Sequence, residues 1–546
     1  MPLDTLITGR IATLKGDAGF GWVEAIGIRD GRVAFAGTEV DLETRADPFT
    51  MRIRLEPDQV AIPGLTDAHL HLVQAAMATR QVDLSDAPSL EDGLRRLRAA
   101  HEALPPDAWL EGHGWDSDRW GRWPTADDLE TVAPGRRAAI WAHDHHAMWV
   151  SHAALAASTL PGGDPPGGVV RRDAAGRPEG VLYEAATRLV TIHIPPMSPD
   201  DLDRALVTVG HDLASLGVVA CHDPGGVAPD PGLTYSFPAY ARLADAGRLP
   251  VRVHACMRDD AVAAAVEQGH RSGKRLGADP DGRAIVGWQK CFADGSLGSR
   301  TAALLEDIAP EPDRPLAPDR RRGVWMTEPD GLRERVERAA AGGIATMIHG
   351  IGDAAVRACL DVLTPGAATA PLMPRIEHVQ MLHPDDRPRF ASAGIAASVQ
   401  PVHLGSDAIQ ARRLWGDRAE AEAYTWKSIA DTGAVMAFGT DAPVESYDPW
   451  PGLALAVRRE DARWPAGTPP YAPDQALTIE RALRAQCIDP ALSARETDRG
   501  RLTVGQRADI VVILAAAIDE PVTPGGVLST TRPQVVLMDG RVVFEA

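Results

Sequence analysis

Cysteine is scarce in this chain. The five residues Cys221, Cys256, Cys291, Cys359 and Cys487 are odd in number, scattered, and never arranged as CxxC. They read as reduced core thiols rather than a disulfide framework, and a cysteine zinc site is not expected. Long apolar runs are missing too. No stretch approaches the roughly 20 residues that span a bilayer, and the opening MPLDTLITGR lacks both the basic start and the apolar segment of a secretory signal. Basic charge is in deficit, with 56 Lys and Arg against 75 Asp and Glu for a formal net charge of -19. Such a balance repels nucleic acid phosphates and anionic membrane surfaces, so neither is expected as a partner. These absences together predict a soluble cytoplasmic protein.

What the chain does have is length and apolar content. Its 546 residues, 45% of them hydrophobic, can build either several ordinary domains or one large barrel with insertions. The first 60 residues alternate short β-rich runs with turns, in DTLITGRIATL, WVEAIGIRDGRVAFAG and MRIRLEPDQVAIPG, with a turn at Asp30-Gly31. The end repeats the style in GQRADIVVIL and QVVLMDGRVVFEA, with a second turn at Asp539-Gly540. Neither end supplies enough strands for its own core, so a composite β-sandwich built from residues 1–60 and 491–546 is predicted.

Between the ends the period changes. Short β-branched runs ending in polar residues recur as VAIPGLTDAHLH, GVVACHD, VRVHACM, IVGWQKCFADG, IATMIHGIGD, RIEHVQ, GIAASVQP and VMAFGTD. Helical segments separate them, among them one with Leu202, Leu206, Val209 and Leu213 at helical spacing. Eight strand–helix repeats predict an α/β protein with a (β/α)8 TIM barrel over residues 61–490, whose site lies at the C-terminal strand ends. Residues 81–200 break the alternation with segments rich in Trp, Gly, Pro and Asp. Inserted after barrel strand 1, they are expected to form a subdomain over the barrel mouth.

In PGLTDAHLHL, residues Asp67, His69 and His71 share one face of an extended strand, with the imidazoles about 7 Å apart. Lys290 sits in an apolar run of strand 4, His349 ends strand 5, His378 ends strand 6 and Asp441 follows strand 8. Each has an ordinary explanation as a core histidine, a snorkelling lysine or a helix cap. Their gathering at one end of one barrel points instead to a metal site.

At these residues the sequence resembles the amidohydrolase superfamily of metal-dependent hydrolases, and within it the YtcJ-like or amidohydrolase-3 branch that includes N-substituted formamide deformylases. The likeness rests on PGLTDAHLHL, GWDSDRW, DHHAMWVSHAAL, KCFADGSLGSRTAAL, HGIGDAAV, EHVQMLHPDD, SVQPVHL, GTDAPVESYDPWPG and GRLTVGQRADIVVI, spread over most of the chain. It implies His69 and His71 on one divalent metal, His349 and His378 on a second, Lys290 bridging, and Asp441 beside the reactive water. A lysine ammonium has no lone pair, so a bridging Lys290 implies an N6-carboxylysine formed with CO2. Burial would supply the neutral amine that this requires. The alternative is a free Lys290 paired with a carboxylate.

One or two zinc ions per chain suit so histidine-rich a set. Asp441 is expected to act as the catalytic base, and Asp67 is placed to orient one histidine. Trp115, His146, His222, Asp294, Gln400 and His403 are candidate substrate contacts. For His222 a bond within the barrel is an equal alternative, and of His143, His145 and His146 only His146 matches the family pattern. Trp115, Trp120, Trp123 and Trp149 suit either an apolar wall for a substituent or the core of the insertion. The expected reaction is hydrolysis of a carbon–nitrogen bond other than a peptide bond, in a linear amide or N-substituted formamide. The rivals are a decarboxylase or isomerase on the same barrel and a ligand-binding barrel without catalysis. A homodimer is the default assembly.

Overall fold

The structure is a computed structural model that describes residues 3–159, 162–225, 236–310 and 316–546. Eight parallel strands pair in chain order: β1 (Leu65–Asp67), β2 (Val218–Asp223), β3 (Arg252–Arg258), β4 (Ala284–Phe292), β5 (Thr346–Gly350), β6 (Arg375–His378), β7 (Ala396–Val399) and β8 (Met436–Phe438). The seam between β8 and β1 is closed by backbone bonds. The amide of Ala68 donates to Phe438 O at 2.9 Å and that of Asp441 to His69 O at 2.7 Å. Helices cover the outside, which is why the strands read as continuous apolar runs.

The helices start and stop where their sequences dictate. In α1 (Pro199–Ser215), Ser198 caps the N-terminus by accepting from the Asp201 amide, and Pro199 occupies the first turn. Leu202, Leu206, Val209 and Leu213 form its buried stripe. It ends at Gly217, whose φ of 87° favours glycine. Two further helices, α2 (Pro329–Ala341) and α3 (Asp353–Leu363), follow β4 and β5.

The two chain ends share one mixed sheet with strand order Arg541–Glu545, Val535–Met538, Ile510–Leu514, Gln59–Pro63, Thr5–Ala12, Trp22–Arg29 and Arg32–Gly37, while Met51–Arg54 also pairs with Thr5–Ala12. Ile7, Ile28, Ala61, Ile510 and Leu537 meet in one apolar cluster, so neither end buries its core alone. Both Asp-Gly turns are present, with φ of 50° and 73° at Asp30-Gly31 and 50° and 71° at Asp539-Gly540. The run VAIPGLTD departs from the expected single barrel strand. Its first half pairs antiparallel with Ile510–Leu514, and only Leu65–Asp67, beyond Gly64, joins the barrel. Ion pairs tie the two parts together, as Arg252 at the start of β3 donates to Asp509 at 2.8 and 3.1 Å.

The insertion forms its own six-stranded sheet, from Val82–Asp83 through Leu110–Trp115, Ala138–Ala142 and Ala147–Val150 to Pro178–Glu184 and Gly168–Arg172. Trp115 and Trp149 are buried in its core, their indole N–H groups donating to Ile140 O and Thr125 O.

Candidate metal centre

The strand ends bring Asp441 to the centre of a ring of imidazoles. His69 Nε2 lies 3.3 Å from Asp441 Oδ1 and His71 Nε2 lies 3.2 Å from the same oxygen. On the other side His378 and His403 approach Asp441 Oδ2 at 3.9 and 3.6 Å. The backbone is turned to achieve this: His378 and Asp441 adopt φ of 72° and 61°, a left-handed region that most side chains avoid.

The far nitrogens of His69 and His71 are fixed. His69 Nδ1 is 2.5 Å from Glu377 Oε2 and His71 Nδ1 is 2.5 Å from Gly225 O, whereas His378 Nδ1, the atom that approaches Asp441, is itself 2.9 Å from Gln400 Oε1. A proton held on the outward nitrogen leaves a lone pair on the inward one, which is the arrangement a metal-ligating histidine needs. Burial, followed by the neighbouring His349, holds His378 well below its ordinary pKa and therefore neutral. For His349 itself burial and Lys290 do the same. Burial would raise Asp441, but His69, His71 and His378 outweigh it and keep the carboxylate ionised. Two triads, His69–His71–Asp441 and His378–His403–Asp441, each hold three donor atoms within 4.8 Å of one another, all buried. The inward Nε2 of His403 finds no hydrogen-bond partner among the described residues. A buried, converging donor set with such an orphan fits a divalent cation.

Lys290 is buried below this ring, its Nζ 3.5 Å from His69 Nε2 and 4.9 Å from the centre of the Phe292 ring. Burial first, then Arg258 and Arg375, lower its pKa to about 8 against the pull of Glu377 and Asp441. His349 stands with its ring centre 4.5 Å from that of His378. Its Nε2 meets Gly295 O at 2.9 Å, which leaves Nδ1 as the nitrogen available for a ligand role. The expected pairing of His349 with His378 thus gains a competitor in His403.

The remaining candidates divide. His146 and His403 line the central cavity together with His143, Asp144, Gln380, Asp407 and Glu445. Gln400 instead bonds His378 through the same Nδ1 that approaches Asp441. His222 bonds within the barrel, its Nδ1 2.7 Å from Arg375 Nη1 and its ring 4.8 Å from that of His254. Asp294 is not free to meet a substrate. Its carboxylate accepts the amides of Ala303, Ile351 and Gly352, shaping the loops after β4 and β5, and burial raises its pKa to about 7. Asp67 likewise accepts the amides of His69 and Thr440, so it fixes backbone across the seam rather than an imidazole ring. Trp115 lines an outer cavity with Asp116, Trp123 and His143, while Trp123 and Tyr183 line another beside Glu184.

Sequence reasoning missed Arg375, Glu377, Glu184 and Glu445. The pattern RIEH held one signal: Arg375 and Glu377 are spaced two apart in a strand buried on both faces, where paired charges must point inward together. His146 Nδ1 is 2.9 Å from Glu184 Oε2, and His143 Nε2 is 3.3 Å from Glu445 Oε1. Nothing in the local sequence joins those partners.

Comparison with known proteins gives a match to the model of the Amidohydrolase family (Amidohydro_3) over residues 58–544. The YtcJ protein of Bacillus subtilis (strain 168) is 29% identical over 497 residues, covering 90% of each chain. The N-substituted formamide deformylase of Arthrobacter pascens is 26% identical over 530 residues, 94% of each. The solved structure of a metal-dependent hydrolase from Pyrococcus furiosus superposes with a TM-score of 0.71 at 25% identity, covering 95% of this chain and 100% of that one.

Proposed function

Because this chain belongs to the amidohydrolase family, we propose that it is a metal-dependent hydrolase of carbon–nitrogen bonds other than peptide bonds, acting on a linear amide or an N-substituted formamide. The observation that carries this reading is the convergence of inward imidazole nitrogens on Asp441 at the C-terminal mouth of the barrel. His69, His71, His378 and Asp441 would hold the metal, with His349 or His403 completing the set, and zinc suits these donors. A bound cation of this kind lowers the pKa of a water and polarises a carbonyl.

The chain's own groups handle the proton. Asp441, ionised and at the centre of the cluster, accepts a proton from the attacking water and delivers it to the departing nitrogen. Water adds to the carbonyl carbon, the C–N bond breaks, and the products are a carboxylic acid, formic acid for a formamide, and an amine. Lys290 would join the ligand set as its carbamate. Its amine nitrogen bonds to the carbon of CO2 and releases a proton, a step that needs the neutral amine its lowered pKa favours. The relationship to the formamide deformylase supports the choice of substrate class.

The test is elemental analysis of protein purified without chelator, intact mass at Lys290, and amine release from a panel of linear amides and formamides. Zinc near one or two equivalents, with turnover that falls at least about 100-fold in Asp441→Asn, is expected. Normal turnover by Asp441→Asn, or CO2 release without amine, would overturn the reading.

A further inference from the structure

Inside the barrel, below the histidine ring, Arg375 is completely buried, and its three side-chain nitrogens engage several strands at once. Nε donates to Glu377 Oε1 at 2.8 Å, and Nη2 donates to Glu377 Oε2 at 3.1 Å, to Ala68 O at 2.6 Å and to Ser398 Oγ at 3.1 Å. Nη1 meets His222 Nδ1 at 2.7 Å, and the guanidinium carbon lies 4.6 Å from the centre of the Trp288 ring. One planar fork thereby reaches groups on or next to β1, β2, β4, β6 and β7. A lysine has neither the fork nor the flat face to replace it.

Two of these contacts end at His69. Ala68 precedes it in the chain, so the bond to Ala68 O grips its backbone. Glu377 carries the other contact, since the oxygen that accepts from Arg375 Nη2 is also the one 2.5 Å from His69 Nδ1. The Glu377 carboxylate, bonded through both oxygens to the guanidinium, acts as the acceptor, so the proton lies on His69 Nδ1 and the Nε2 lone pair faces Asp441. A buried ion pair is weak support for stability, because well-packed apolar residues of similar volume do as well or better. The pair therefore calls for an explanation other than stability.

We propose that Arg375 is a positioning residue for the metal centre, setting the place and tautomer of His69 through Ala68 O and Glu377. The proposal rests on the reading of the cluster as a cation site.

Chelator-stripped protein is titrated with Zn(II) in competition with a chromophoric chelator, and its Co(II) form is examined by visible absorption. Arg375→Met and Glu377→Gln are each expected to weaken Zn(II) binding about 10- to 100-fold and to change the Co(II) spectrum. The double variant should lose less than the product of the two single losses, because both act along one path. Arg459→Met removes another fully buried guanidinium, bonded to Tyr471 O and Tyr424 O, and should lower Tm while leaving Zn(II) affinity and the Co(II) spectrum unchanged. Wild-type Zn(II) affinity in folded Arg375→Met overturns the proposal alone. If that variant does not fold, wild-type affinity in Glu377→Gln overturns it. Failure of the unaltered protein to bind either ion removes the cation-site reading and this inference with it.

Discussion

Three histidines of one turn bring different protonation to the same region. Burial would lower His143, but Glu445, with Asp116 and Asp144 behind it, lifts it to about 9. His146 is lifted to about 9 against its burial by Glu184 and Asp144. His145, stacked on Trp141 with ring centres 5.6 Å apart, is pushed by burial and by His113 and His71 down to about 3. The pair formed by His143 and Glu445 has a defined pH window. A histidine raised above its unfolded value of about 6.5 stabilises fully below that pH and loses its contribution as pH climbs through about 9. Glu445, held near 2 by His143 against its burial, contributes above about 4.5 and loses its part as pH falls toward 2. Glu445→Gln should therefore have a lower Tm than the unaltered protein at pH 6, and the gap should close above pH 9.5 in a thermal melt series. A constant gap across that range would remove the pair from this role. The inward histidines, Lys290 and Asp441 were legible in the sequence because barrel topology gathers strand ends. What binds the outward nitrogens of His69 and His71 was not, because Glu377 comes from β6 across the barrel and Gly225 from the loop after β2.

At the scale of elements, all eight barrel strands could be read from their apolar runs and polar ends. The division of the first run at Gly64 could not, since a continuous apolar stretch carries no mark of which sheet each half will join. The meeting of β8 with β1 depends on one residue just beyond β8. A Cβ on Gly439 would stand 2.5 Å from His69 N and 2.8 Å from His69 Cβ, and neither atom can move without shifting the end of β1. Gly439→Ala is expected to keep the overall fold by circular dichroism, to lower Zn(II) affinity at least about tenfold, and to cost about 1–3 kcal/mol in denaturant unfolding from overpacking. Unchanged affinity would show that the seam yields without disturbing His69.

The whole molecule is held closed from both ends. Gln59–Pro63 runs directly into β1 and depends on Ile510–Leu514 for its antiparallel partner, while Asp509 and Asp539 pair with Arg252 at the base of β3. Deleting residues 510–546 should therefore do more than shorten a surface sheet: it removes the antiparallel partner of Gln59–Pro63 and turns that strand into an exposed edge at the start of the barrel. Soluble yield and size-exclusion profile are expected to show aggregated protein, and a monodisperse, zinc-binding truncation would contradict this. That the ends would combine was foreseeable because neither had enough strands, whereas the single mixed sheet they form, where a sandwich was expected, and its ionic attachment to β3 were not. The cluster around Asp441 draws its donors from His69 to Asp441, and its two ends face each other across the β8–β1 seam. During synthesis, then, a half-made chain owns the histidine pair but lacks the aspartate. The centre can form only once the chain has been made through Asp441, so an ion held there would be loaded late and would fasten the last barrel strand to the first.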